Sequence, residues 1–191
     1  MTKNKKEALT LSAATLFHEK GIGATSIADI AKHADVPVGN VYYYFKTKED
    51  IGIAAAELRQ EEFKGFIEVL DKQFTNPLAR LKQAARFFAE AKEEYISKGC
   101  PIAQMCQTGD VANDPVAQAY AAIYKEYMAW IAEQFASVVG PHESKRYAQQ
   151  FLSRLLGAAL VAKTAQNANI LESEVADLTQ WLESQKVKAV A

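Results

Sequence analysis

Residues 38–48, Val-Gly-Asn-Val-Tyr-Tyr-Tyr-Phe-Lys-Thr-Lys, set four aromatic rings in a row and close with two lysines. These side chains suit a nucleic-acid surface. An asparagine amide matches two hydrogen-bonding atoms on the adenine edge. Tyrosine hydroxyls reach phosphate, and a ring edge can meet a thymine methyl. Lys46 and Lys48 bring ammonium groups to where a phosphate backbone would run. A helix starting just after them adds a partial positive charge at its N-terminus. Helical residues are about 100° apart, so four consecutive aromatics cannot all face a core. Val41 and Phe45 are expected inward, and at least one or two of the tyrosines outward.

The elements that must hold this segment are short and helical. Leu9, Ala13, Leu16 and Phe17 mark one face of a first helix, ended by Gly21 and Gly23. Ser26 with Asp29 resembles a capping box that opens a short helix bearing Ile27, Ile30, Ala31 and Ala34. Asp35-Val36-Pro37 is a tight turn, with Asp35 where a positive φ is tolerated. A second short helix is expected from about Val38 to Phe45. Thr47-Lys48-Glu49-Asp50 caps a longer one. Two short helices across a tight turn, preceded by a third, make a helix-turn-helix unit.

Helical spacing continues beyond it. Asn76-Pro77 starts a helix to about Lys98, and Gly99-Cys100-Pro101 breaks the chain before one or two turns over 102–108. Asp114-Pro115 starts another, stopped at Gly140-Pro141. A further helix is expected over about Ser144–Asn167, and a last one opening at Ser173. No period-two strand is visible. The expected fold is all-α with about nine helices: an N-terminal helix-turn-helix domain at 1–47 and a C-terminal helical domain at 48–191.

The run TSIADIAKHADVPVGNVYYYFKTKEDI resembles the DNA-binding signature of the TetR family of bacterial transcriptional regulators. Thr25, Ile27, Ile30, Ala31, Ala34, Val36, Gly39, Val41, Tyr42, Phe45 and Lys48 match the family pattern. Asp35 stands for its usual Gly, Tyr44 for its usual His, and Asn40 for Thr or Ser. The resemblance covers roughly residues 8–52. It implies a homodimer whose two heads enter successive major grooves of a palindromic double-stranded operator, released by a small-molecule inducer; separately, two cysteines make no disulfide framework, so a cytoplasmic chain is expected. Thr25, Tyr42, Tyr44, Lys46 and Lys48 would hold phosphates, and Ser26 is counted among the DNA-binding residues. Val38, Gly39, Asn40 and Tyr43 would approach base edges. A repressor is the expected role.

The C-terminal half offers less specific signals. Phe66, Phe88, Tyr95, Cys100, Met105, Tyr120, Tyr124 and Tyr127 are candidates for a ligand cavity, because such a site wants a few hydroxyls in apolar walls. The same aromatics also suit a plain core. Phe151, Leu152, Leu155, Leu156 and Ala159, with small residues at Gly157 and Ala158, form a wide apolar arc. That arc fits either a buried helix or an interface helix. The resemblance favours an interface, joined by Leu178, Trp181 and Leu182. Cys100, between Gly99 and Pro101, is either a small buried hydrophobe or a reactive thiol, with Cys106 a resolving partner if the two come close. Lys3, Lys5 and Lys6 are expected in a solvated terminus.

Composition narrows the alternatives. Lys and Arg number 22 against 23 acidic residues, a net charge of −1, and 49% of residues are hydrophobic. Disorder over most of the chain is excluded. Residues 1–50 carry seven lysines against six acids, so any DNA contact rests on where a few lysines sit. No apolar run approaches a membrane span, and the N-terminus does not resemble a signal peptide. His18, His33 and His142 lack metal-ligand spacing, no cofactor motif is present, and no hydrolase, metalloprotease or phosphate-loop motif occurs. An enzyme is therefore not expected. The rival reading is a helical small-molecule binding protein that does not bind an operator.

Overall fold

The computed structural model describes residues 4–188, with side chains to residue 185. Its ten helices among the described residues are α1 (Lys5–Lys20), α2 (Ile27–His33), α3 (Val38–Tyr44), α4 (Lys48–Gln73), α5 (Pro77–Glu90), α6 (Lys92–Ser97), α7 (Pro101–Thr108), α8 (Pro115–Val139), α9 (Pro141–Ala165) and α10 (Ala168–Lys188). The helix expected over 77–98 is broken at Ala91, which separates α5 from α6. Merging those two gives the nine read from sequence.

The chain packs as two units: residues 1–64 with 101–123, and residues 65–100 with 124–191. This division differs from the boundary at residue 47. Lys48 opens a helix 26 residues long, and its buried Ile51, Ala55 and Ala56 belong to the core of the first unit.

In that first unit, Leu9, Ala13 and Phe17 of α1 pack with Ile30 and Ala31 of α2, Val41 of α3 and Phe45. Fully burying a side chain of Val, Ile, Leu or Phe size contributes about 1.5–3 kcal/mol. Lys5 and Lys6 begin α1, and the Lys6 ammonium lies 5.7 Å from the Phe45 ring centroid. Those two residues are thus built into the head, while Lys3 lies outside the described residues.

The second unit packs α10 against α9 and α5, with α6 against α9. Ion pairs lace these contacts: Lys82–Glu183 at 2.6 Å, and Lys92–Glu172 and Arg154–Glu174. Arg80 donates to the Phe74 carbonyl at 2.7 Å and to Gln134 Oε1 at 3.1 Å, tying α5 to the end of α4 and to α8. Helix α10 begins five residues before the expected Ser173. The corner is made by Gln166 at φ 50°, and Asn167 accepts from the Asn169 amide. Neither glycine nor proline marks it, so the sequence carries no strong stop there.

Candidate nucleic-acid interface

The helix-turn-helix is assembled by local hydrogen bonds. Ser26 Oγ accepts from the Asp29 amide at 3.1 Å, and Asp29 Oδ2 accepts from the Ser26 amide at 2.9 Å, the reciprocal box expected from sequence. The Ser26 hydrogen bonds hold the Asp29 carboxyl below the usual aspartate range. Lys20 and Lys32 add smaller favourable charges. In sequence they carry only the signal of basic residues six positions either side of Ser26.

At the other end of α2, Asp35 takes φ 54°. Its amide donates to the Lys32 carbonyl and the Val36 amide to the Ala31 carbonyl. This pair of bonds is a Schellman closure with aspartate in the left-handed position. It costs some backbone strain that a glycine would avoid. The turn then delivers Pro37 and the start of α3.

Helix α3 buries Val41, with Phe45 just past its end, and turns Asn40, Tyr42 and Tyr43 outward. Tyr43 is 81% exposed and Tyr42 49%. Tyr44 is half-buried and meets the Tyr43 ring edge-on at 5.1 Å. Val38 and Gly39 are also exposed. The outward side chains of α3 are thus those that a base-reading helix would present.

The cations behave differently from one another. Lys46 is exposed and its ammonium donates to the Tyr42 carbonyl at 3.1 Å, within reach of solvent. Asp50 accepts from the Lys46 and Thr47 amides, both at 2.9 Å, and these bonds hold its carboxyl below the usual range. With Asp50 donating its amide to Thr47 Oγ1 at 3.0 Å, α4 gains a capping box of its own. Lys48 is half-buried. Its ammonium donates to the Ile22 and Thr25 carbonyls at 2.8 and 3.2 Å. Thr25 is buried, and its hydroxyl donates to the Gly21 carbonyl at 2.9 Å. Of the ten residues read as DNA contacts, Ser26, Val38, Gly39, Asn40, Tyr42, Tyr43 and Lys46 are therefore exposed. Thr25 and Lys48 point their polar groups inward.

The ligand candidates do not form one group. Met105 and Tyr120 lie in the core of the first unit, where burial pushes the Tyr120 hydroxyl up to about 12. In the second unit, Phe88 stacks on Tyr95 with centroids 5.0 Å apart. Cys100 Sγ lies 3.1 Å from Tyr124 Oη. Burial raises the Tyr95 and Tyr127 hydroxyls, and both also feel Cys100. Cys100 thus bonds Tyr124 and lies near enough to Tyr95 and Tyr127 to bear on both hydroxyls. Phe66 instead pairs with the exposed Phe87 at 4.9 Å. A separate groove of about 610 Å³ runs along α1 and α4, lined by Leu11, Ala54 and Leu58 with Glu7, Glu57 and Glu61. It contains none of the eight candidates.

The residues expected at a dimer interface differ in exposure within the protomer. Phe151, Leu152, Leu155, Ala159, Leu178 and Leu182 are buried within the protomer itself. A side chain already covered by its own chain has no area to offer a second copy. Leu156 and Trp181 are half-buried, and Trp181 stacks on Tyr147 at 5.4 Å. The apolar residues that α9 leaves outside are Leu160, 54% exposed, and Val161, 52% exposed, beside exposed Gly157.

Among the described residues, no helix is long and apolar enough to cross a membrane, and no group of three His, Cys, Asp or Glu side chains is placed to hold a metal ion. Residues 9–55 match the family model described as bacterial regulatory proteins, tetR family. The chain is 23% identical over 175 residues to an HTH-type transcriptional regulator in the lacX 3′ region of Lactococcus lactis, covering 90% of this chain and 89% of that one. It is 31% identical over 102 residues to the HTH-type transcriptional repressor KstR2 of Mycobacterium tuberculosis, covering 50% and 47%. A TetR transcriptional regulator from Legionella pneumophila has the same fold, with a TM-score of 0.82 at 18% identity over 94% of this chain and 98% of that one. These relatives are named as transcriptional regulators. The match falls on the residues that build the head, and the fold of a TetR regulator extends through the helical remainder: the chain carries the helix-turn-helix head described for bacterial regulatory proteins of the tetR family on an all-helical TetR fold.

Proposed function

We propose that this protein is a ligand-responsive repressor that binds a palindromic operator as a homodimer in the cytoplasm and leaves it when a small molecule binds. The observation that carries the DNA half of this reading is the outer face of α3. Tyr43 and Tyr42 are far more exposed than tyrosines of a plain core, and neither contributes to the head's interior. Val38, Gly39, Asn40 and Tyr43 face the bases in this reading. Ser26, Tyr42, Tyr44 and Lys46 face the phosphates, with Thr25 and Lys48 behind them.

Assembly rests on α9. Leu160, Val161 and Gly157 leave an apolar, close-approach strip on the exposed side of α9, away from the buried Phe151, Leu155 and Ala159. A twofold axis through that strip is isologous and closes at two copies. Two heads about 34 Å apart then match one turn of DNA. The ligand side rests on Tyr95, Cys100, Tyr124 and Tyr127, with Phe88 stacked beside Tyr95 as an apolar wall. The repressing role follows the name of the Mycobacterium relative.

A gel-shift titration with the DNA flanking the protein's own gene tests the reading. Saturable, sequence-selective, salt-sensitive binding by a dimer is expected. Binding that is absent at low salt would overturn it in favour of a helical ligand-binding protein.

A further inference from the structure

The loop between α1 and α2 has few backbone bonds of its own. Gly21 donates back to Phe17, and the Thr25 amide reaches the Ile22 carbonyl at only 3.4 Å. Two side chains supply the rest. The Thr25 hydroxyl turns inward onto the Gly21 carbonyl at 2.9 Å and the Leu16 carbonyl at 3.4 Å. The Lys48 ammonium crosses from the first residue of α4, 26 and 23 positions away in sequence, to the Ile22 and Thr25 carbonyls. Lys48 is itself anchored, because the Thr47–Asp50 box fixes the start of α4 and Ile51 is buried in the head core three residues on.

An ammonium has three donors. Two are spent on these carbonyls, and moving the group onto a phosphate would leave both carbonyls open. We infer that Lys48 is a positioning residue of the head: its ammonium clamps the α1–α2 loop to the first turn of α4. The clamp sets where Ser26, α2 and therefore α3 stand. This role rests on the proposed DNA-binding function for its consequence, but not for its geometry.

The test compares wild type with Lys48→Met, which keeps much of the side-chain length and removes the charge and the donors. Hydrogen exchange of amides 22–26 in the DNA-free protein reads the clamp directly. Affinity for a duplex from the DNA flanking the gene, measured against salt well below the melting temperature, reads its consequence. Exchange is expected to quicken about tenfold, a local opening at an intact fold. Binding is expected to weaken about tenfold, with the slope of log affinity against log salt unchanged. A slope lowered by about one unit marks a lost phosphate contact and overturns the inference. So does unchanged exchange, or affinity equal to wild type. If Lys48→Met does not fold, Lys48→Gln, which removes the charge and shortens the reach to the same two carbonyls, asks the same question of the same loop. Quickened exchange at 22–26 with an unchanged slope supports the clamp, and silence at those amides refutes it. If wild type itself fails to bind DNA, the regulatory reading falls while the exchange measurement still judges the clamp.

Discussion

Leu155 and Leu160 are five residues apart on α9, about 140° around its axis, and this angle separates the protomer's interior from its outside. Leu155 is fully buried and Leu160 is 54% exposed. Leu155→Ala opens a cavity in a close-packed layer between α9 and α10, at a cost of about 2–5 kcal/mol. In a chain of this size each kcal/mol lowers the melting temperature by about 2–4 °C, so a fall of roughly 4–20 °C is expected. The DNA-binding head is untouched. Leu160→Arg is different. On a free surface it changes stability by about 0.5 kcal/mol or less. In a twofold interface the charge enters twice without a partner, and leaving a charge buried and unpaired costs about 3–5 kcal/mol. Counted for both copies, about 6–10 kcal/mol, that weakens the dimer by about four to seven decades. Sedimentation velocity at micromolar protein, with circular dichroism melting beside it, separates the two. Leu155→Ala should melt early with its association state unchanged in the folded range. Leu160→Arg should keep its helical spectrum, sediment as a monomer and lose operator binding. A Leu160→Arg protein still dimeric at low micromolar concentration, or a wild type that is monomeric there, refutes the α9 interface.

Four further expectations rest on equally local features. Tyr43→Ala should leave the melting temperature unchanged, because the ring is 81% exposed, yet weaken operator binding. Asn40→Ala should relax preference at a single base position by about 1–3 kcal/mol, read by titrating operator variants. Asp29 and Asp50 have lowered folded-state pKa values, chiefly through Ser26 and Thr47 hydrogen bonds. Their stabilisation is therefore present above the ordinary aspartate range near 4 and lost as pH falls through the lowered folded values. Melts from pH 6 to pH 2.5 should show an Asp29→Asn, Asp50→Asn protein less stable near neutrality and less sensitive to acid; parallel curves would contradict the assignment. Cys100 is half-buried and hydrogen-bonded to Tyr124. N-ethylmaleimide should leave the protein–operator complex intact in both wild type and Cys100→Ser, and dose-dependent release in wild type alone would make this thiol a sensor.

The elements that a single helical turn encodes were legible before any coordinates. Ser26 and Asp29 stand at capping-box spacing, Asp35 falls where the turn needs a positive φ, and Asn76-Pro77 and Asp114-Pro115 announce helix starts. Each of these is a bond between residues a few positions apart, so sequence spacing and spatial distance are the same information. The row of tyrosines was legible for the same reason: a 100° step forces some rings outward whatever the core contains. The tertiary structure decided what lies across each helix. The wide arc of Phe151–Ala159 looks the same whether it meets its own chain or a second copy, and only α10 and α5 lying over that region turned it into interior. Thr25 and Lys48 carry the right groups for phosphate, and only the approach of α4 to the α1–α2 loop turned those groups inward. Cys100 came to bond Tyr124 and to bear on Tyr95 and Tyr127, without Met105 or Tyr120, through the packing of the second unit. A helix prints its own period and caps in sequence, whereas the partner of each face is set by contacts tens of residues away, which no local pattern specifies.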